Sequence, residues 1–232
     1  KLDEAQRNLF DKALSRLQQN EPLQYIVAST EFYGFPFQLS PAVLIPRPET
    51  EELVDWIYTD YKNTSCTILD IGTGSGAIAV SLAKLLPEAK VTAIDVSEDA
   101  LKIAEANASS NAVNVQFIKQ DILDCQALDQ SYDVIVSNPP YVRDLEKAEI
   151  KANVLNYEPH LALFVEDQNA LIFYKKIAEL AIKALQPNGI LYFEINQYLS
   201  AETVSLLKNI GFSQVELRDD FAGKPRMIKA QR

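Results

Sequence analysis

The sequence predicts an α/β protein built on a doubly wound, mostly parallel seven-stranded sheet, with a helix and a β-hairpin in front of it. Two observations carry that expectation. From Cys66 onward, short runs rich in β-branched residues alternate with longer helix-like runs, and parallel strands need crossover connections of that kind. The first of those short runs, "CTILDIG", passes through a glycine-rich turn into "AIAVSLAKLL", as in open sheets that bind ligands at their carboxyl ends.

The elements follow in order. Leu9, Ala13, Leu14 and Leu17 recur at helical spacing with Phe10 beside them, so one amphipathic helix is expected, ended by Asn20 and Pro22. A lone helix cannot bury its own stripe, so it either packs on the main domain or is the remnant of a longer helical region. "EFYGFPFQLS" reads as a short hairpin around Gly34. "LIPRPETEELVDWIYTDY" fixes a loop around Arg47 with two prolines, then places Glu49, Glu51 and Glu52 at the positive end of a helix. Strands are expected at "CTILDIG", "KVTAIDV", "VQFIKQD", "YDVIVSN", "GILYFEI", "SQVELRD" and "RMIKAQ". The helices between them are "AIAVSLAKLL", "EDALKIAEANASS", "ALIFYKKIAELAIKAL" and "SAETVSLLKNI". The span from Arg143 to Gln168 is long for a connection, which suits a functional loop.

Composition narrows the function. The 232 residues are 47% hydrophobic and 23% charged, ordinary for a globular protein with one substantial core. A net charge of −10 and a pI near 4.7 argue against broad binding to nucleic acid or to an anionic membrane. No apolar run approaches the ~18 residues of a membrane span, and no signal peptide is expected. Cys66 and Cys125 form no CxxC and no disulfide framework, and His160 is the single histidine, so no metal site is expected and a reduced, cytoplasmic setting is. The chain begins at Lys1 rather than Met, so residues upstream of it are expected.

"LDIGTGSGAIA" sets Gly72, Gly74 and Gly76 between a strand and a helix, where a ligand can approach the backbone and the helix N-terminus closely. Asp95 ends the next strand, nineteen positions after Gly76, where a carboxylate can accept both hydroxyls of a ribose. Gly72, Gly74 and Ala77 also satisfy the looser dinucleotide pattern. Asp70, however, stands at the strand end where a dinucleotide fold usually has an apolar residue, and it suits an ammonium better than a pyrophosphate. The run "DIGTGSG", with Thr73 and Ser75 between its glycines, resembles the cofactor loop of S-adenosylmethionine-dependent methyltransferases. Asp121 and Ile122 follow the third strand, as a carboxylate for an adenine amine and an apolar wall for its ring; a solvated strand-end Asp is the other reading.

"SNPPYV" ends the fourth strand of the alternating series. Methylating a planar amino group is hard because the nitrogen lone pair is delocalised; two acceptors for its N–H groups reorient that lone pair and stabilise the charge that develops. Asn138 offers a side-chain oxygen, Pro139 a carbonyl held by rigid backbone, and Tyr141 a flat face for a planar group. Elsewhere in a protein the same residues would be only a turn and a core aromatic.

Taken together, "EPLQYI", "LIPRPETEELV", "ILDIGTGSGAIA", "SNPPYV" and "YEPHLAL" resemble the HemK/PrmC family of protein-glutamine methyltransferases over nearly the whole chain from about Glu21. The resemblance implies a Rossmann-like class I S-adenosylmethionine methyltransferase acting on the glutamine of the Gly-Gly-Gln motif of peptide-chain release factors. It implies that the loop from Gly72 to Gly76 lines the methionine part of the cofactor, Asp95 binds the ribose, and Asp121 and Ile122 border the adenine. Asn138, Pro139, Pro140 and Tyr141 would grip the substrate, Asn138, Pro139 and Tyr141 as the catalytic group and Asn138 bordering the cofactor as well, with Arg47, Glu49 and Thr50 closing over it. Residues 1–30 are then expected to be a remnant of a helical docking domain, 31–45 a hairpin linker and 46–232 the methyltransferase domain. A monomer is expected, with a release factor as partner and without direct nucleic-acid binding. The rival substrate is a nucleobase amine in DNA or RNA.

Two positions depart from the family pattern: Asn196 and Asn169 stand where glycine is common, and asparagine tolerates the left-handed backbone region better than most residues. Glu158 reads equally as a ligand of the substrate loop or an anchor of its own loop. His160 reads as structural, and Cys125 as a packed residue at a strand edge.

Overall fold

A computed structural model describes residues 3–232; Lys1 and Leu2 of the expected 1–30 segment lie outside the described residues. Helix α1 (Glu4–Gln18) starts on a capping box, in which Asp3 accepts from the Gln6 N–H and the Gln6 side chain accepts from the Asp3 N–H. It buries none of its residues: Leu9, Phe10, Leu14 and Leu17 are all exposed, so the described main domain leaves the stripe uncovered. A one-turn helix α2 (Leu23–Ile26), which the periodicity does not foretell, follows Pro22 and turns Tyr25 inward to donate to the Val43 carbonyl at 2.6 Å.

The hairpin, β1 (Ser29–Phe32) and β2 (Phe35–Gln38), pairs only with itself and begins two residues before the expected boundary. It turns through Tyr33 and Gly34, both at positive φ. Phe32 and Phe37 pack edge to face in the core beneath it, 5.9 Å apart. Asn107, farther along the chain, exchanges two hydrogen bonds with the backbone of Gln38 (2.6 and 3.0 Å) and gives a third to the Ser75 carbonyl at 2.9 Å. The hairpin is therefore bolted to the main domain.

Helix α3 (Pro48–Tyr61) opens with Pro48 in its first turn, where a missing N–H costs nothing. Then come β3 (Thr67–Ile71), α4 (Ala77–Leu85), β4 (Lys90–Asp95), α5 (Glu98–Ser110), β5 (Val115–Lys119) and β6 (Tyr132–Ser137). The expected long connection contains β7 (Val142–Arg143), α6 (Ala152–Tyr157), β8 (Phe164–Val165) and several single turns, with β7 and β8 pairing in parallel. The chain closes with α7 (Ile172–Ala184), β9 (Leu185–Glu194), α8 (Ser200–Ile210), β10 (Gln214–Asp219) and β11 (Pro225–Gln231).

The seven-stranded sheet runs β10-β11-β9-β6-β3-β4-β5; β9, β6, β3, β4 and β5 are parallel, β11 runs antiparallel to β9, and β10 at the edge, antiparallel to β11, runs with the central strands. One core, between the sheet and the α3–α5 side, includes Leu53, Ile57, Ile78, Leu82 and Ala108. A second core, on the α7–α8 side, includes Tyr174, Ile177, Ala181 and Leu207. With both faces covered, the central strands are apolar nearly throughout. The sheet order reverses between β3 and β6, because β3 continues outward through β4 and β5 while β6 starts the other half. That switch point, at the carboxyl ends of the strands, is where open sheets of this kind hold ligands.

Candidate active site

At the switch point lies a cavity of about 390 Å³. Of the residues expected from the sequence, Arg47, Thr50, Gly72, Thr73, Gly74, Ser75, Asp95, Asp121, Ile122, Asn138, Pro139 and Pro140 line it; Asp70, Gly76, Glu49 and Tyr141 do not. Of those four, Asp70 and Gly76 are buried, and Glu49 and Tyr141 are half-buried.

Strand β3 delivers Asp70, which is fully buried. Its Oδ2 accepts from the Thr73 hydroxyl at 2.6 Å, while its Oδ1 has no partner among the described residues. Burial pushes the carboxyl up to about 7, opposed by the Thr73 hydroxyl and helped by the nearby Asp95 charge. The turn that follows needs glycine at Gly76, whose φ of +81° begins α4: a Cβ there would stand 3.1 Å from the Ala104 Cβ. Asp95, at the end of β4, accepts from the Gly74 and Ser97 N–H groups at 2.9 Å each. Burial raises its carboxyl pKa, and those N–H groups oppose the rise. Asp121 is exposed and caps its own turn by accepting from the Leu123 N–H at 2.9 Å, and Ile122 beside it is buried.

Across the cavity, β6 ends at Ser137, whose hydroxyl donates to the Ile71 carbonyl at 2.6 Å and so ties the two central strands together at their tips. Asn138 follows, its Nδ2 donating to the Thr50 hydroxyl at 3.3 Å. The Tyr141 ring does not form the cavity wall; its hydroxyl donates to the buried Glu194 at 3.1 Å, and burial raises its pKa. Glu158 settles as an anchor for the loop that covers the site: nearly inaccessible, it accepts from the Ile45 N–H at 3.2 Å and pairs with Arg47 at 2.7 Å.

Asn196 does not occupy the left-handed region that its place in the pattern suggests. Its φ is −65°, and its amide donates to the Tyr141 carbonyl at 2.9 Å and to Glu146, holding the tail of the Asn138–Tyr141 turn. Asn169 likewise sits in an ordinary single turn rather than at positive φ. His160 donates from Nε2 to the Leu155 carbonyl (2.8 Å) and meets the Phe164 ring edge on, a structural role. Cys125 is buried, its thiol donating to the Ala127 carbonyl. Sequence reasoning assigns no role to Glu194 or to the apolar lining from Val43, Ala100, Phe173 and Ile177. These residues come from distant segments, and no local motif marks them.

Asp95 and Asp121 line the cavity and Asp70 lies just behind it; the one arginine of the lining, Arg47, is already paired. A pyrophosphate does not fit such walls. A cationic cofactor does, and the orphaned Asp70 oxygen under the glycine turn is the group that gains most from a nearby positive charge. Fold and site together define a class I S-adenosylmethionine-dependent methyltransferase. A model described as a methyltransferase domain matches residues 62–219. The chain is 55% identical to the release factor glutamine methyltransferase of Flavobacterium psychrophilum over 99% of its length and 82% of that protein. It is 44% identical to that of Lactococcus lactis, over 100% of this chain and 85% of the other. A methyltransferase from Pyrococcus furiosus superposes with a TM-score of 0.63 at 20% identity, over 95% of this chain and 98% of that one. A Thermus thermophilus 16S rRNA methyltransferase in complex with AdoMet and guanosine gives 0.65 at 18% identity, over 88% and 49%. The chain belongs to the release factor glutamine methyltransferases.

Proposed function

We propose that this protein methylates the side-chain amide nitrogen of a glutamine in a peptide-chain release factor, the glutamine of its Gly-Gly-Gln motif. Support comes from the family and from the single arrangement that carries the reading: an asparagine amide with its nitrogen held by Thr50, set on the cavity wall at the strand switch point. The Gly72–Gly76 turn, Asp95, Asp121 and Ile122 would hold S-adenosylmethionine, with Asp70 behind them. When bound, that cofactor supplies an electrophilic methyl group on a sulfonium.

The protein's own part is positioning. The Asn138 side-chain oxygen and the Pro139 carbonyl accept the two N–H groups of the substrate amide. That pair of bonds holds the amide plane so that the nitrogen lone pair faces the incoming methyl carbon, and it stabilises positive charge on nitrogen as conjugation is lost. The methylated nitrogen is then strongly acidic and gives up its proton without a strong base, so His160 is not needed. Arg47, held by Glu158, keeps the 45–47 stretch over the site and water out. Residues 46–232 carry this chemistry, and the helix ahead of the hairpin belongs to substrate docking. We place the protein in the cytoplasm, as a monomer acting on a protein rather than on nucleic acid. No helix among the described residues is long and apolar enough to cross a membrane.

The test is transfer from labelled S-adenosylmethionine to a release factor, to the same factor with that glutamine replaced by alanine, and to mixed nucleic acid. Label on the intact factor alone is expected. Label on nucleic acid would replace this reading with methylation of a base amine.

A further inference from the structure

Behind Asn138 three side chains from distant parts of the chain form a relay with a fixed direction. Glu194, at the end of β9, is 1% exposed. Its Oε2 accepts from the Thr50 hydroxyl of α3 at 2.5 Å, and its Oε1 accepts from the Tyr141 hydroxyl at 3.1 Å. Thr50, itself buried, accepts in turn from the Asn138 Nδ2 at 3.3 Å. A hydroxyl has one proton to give, and an ionised carboxylate can only accept. With its proton committed to Glu194, Thr50 shows Asn138 nothing but lone pairs, and only the NH₂ end of the amide can meet them. The oxygen of Asn138 is thereby left as the end that faces the substrate.

We infer that Thr50 and Glu194 are positioning residues that set which end of the Asn138 amide meets the substrate nitrogen. The inference rests on the role proposed for Asn138 above. Direction matters because the two ends of an asparagine amide have nearly the same shape. Flipped, Asn138 would present two donors to a substrate amine that has only donors to offer, and the acceptor the reaction uses would be lost. Burial raises the Glu194 carboxyl pKa and the Glu49 charge adds to the rise, while the Thr50 and Tyr141 hydroxyls and the charge of Arg226, which bonds Asp220 at 3.1 Å and the Ile195 carbonyl at 3.3 Å, oppose it. The direction of the relay rests on geometry: two hydroxyls converge on the carboxyl, one on each oxygen, so each oxygen already has a donor. Thr50 thus works through Asn138, and the threonine expected from sequence to grip the substrate need not touch it.

The experiment removes the hydroxyl with and without its bulk, in Thr50→Val and Thr50→Ala, and keeps it in Thr50→Ser. Three quantities are read: methyl transfer to the release factor as kcat and KM, S-adenosylmethionine affinity by calorimetry, and the ¹⁵N side-chain amide signal of Asn138, identified by its loss in Asn138→Ala. Thr50→Val and Thr50→Ala are expected to lower kcat about tenfold to hundredfold, with KM and cofactor affinity within about threefold. Both should shift the Asn138 amide signal and speed its exchange with water, and Thr50→Ser should restore signal and kcat together. Wild-type kcat with an unmoved amide signal in the folded Val or Ala variant would overturn the relay, as would a folded Ser variant that behaves like Val. Failure of the wild-type protein to label any release factor would overturn the proposed substrate instead. The amide signal would still decide the relay, because it is read without substrate.

Discussion

The two walls of the cavity are made differently. The wall under the glycine turn comes from a short stretch, residues 70–76, joined by Asp95 from the neighbouring strand, and it is left electrically unfinished: Asp70 is fully buried with one oxygen unpartnered. The opposite wall presents Arg47, Thr50 and Asn138, backed by Glu158, Glu194 and Asn196, residues up to 149 positions apart, and each of these side chains holds another group of the fold. On the function proposed above, the first wall would take its missing partner from the cofactor's positive charge, and the second would hold its acceptors aimed before the substrate arrives; catalysis gains most from groups that need no rearrangement.

Breaking the finished wall should cost turnover, and breaking the unfinished one should cost affinity. The largest effect is expected for Asn138→Ala: kcat lower by about 10²–10³ with cofactor affinity within about threefold, read by transfer rate and calorimetry. Equal losses in both would merge the two walls into one. Asp95→Ala should follow, weakening cofactor binding about tenfold to hundredfold by calorimetry, in line with the loss of hydrogen bonds to a charged acceptor.

Asp70 sharpens the contrast through pH. Burial holds its carboxyl near 7, above its unfolded value, so the ionised form is disfavoured by the protein alone and favoured once a cation is near. Cofactor affinity should therefore rise with pH through about 7, level off above it, and be lost as pH falls. The same raised pKa predicts that this group makes the cofactor-free protein less stable as pH climbs from about 4 to 7. Asp70→Asn should flatten the affinity profile; an unchanged slope would assign it to another group. Smaller still, Glu158→Gln should destabilise the protein by about 1–3 kcal/mol, because it replaces a buried charged acceptor, and should raise KM more than it lowers kcat. His160→Gln should leave transfer within about twofold, a rim position being remote from charge development.

How legible each wall was follows from the same difference. The glycine turn, Asp70 and Asp95 stand close together or at a regular strand-to-strand interval, so their place at the carboxyl end of the sheet is readable from order alone. The seven strands were readable too, since burial on both faces leaves Val-, Ile- and Leu-rich runs between helical periods. The end of β6 before Asn138 is legible, because two consecutive prolines cannot continue a strand. What the Thr50 and Tyr141 hydroxyls hold is not legible: the sequence suggests a place for both residues beside the substrate, and the structure shows both hydroxyls donating to Glu194, which no spacing connects to them. Asn196 shows the same limit, a residue explained by backbone permissiveness in sequence and by its side-chain amide in space. The one-turn α2 was missed because four residues carry no period.

The grip of Asn107 on the hairpin has one more consequence. A two-stranded ribbon has two open edges, each a row of unpaired peptide groups on which a second molecule could add a strand. By offering an oxygen to the Gln38 N–H and an N–H to the Gln38 carbonyl, the Asn107 side chain impersonates the next peptide of a neighbouring strand. Asn111 extends the mimicry with a bond to the Pro36 carbonyl at 2.9 Å. Two asparagines on one helix thus stand in for a third strand, and that edge of the ribbon is closed to strand addition and to the aggregation it would seed.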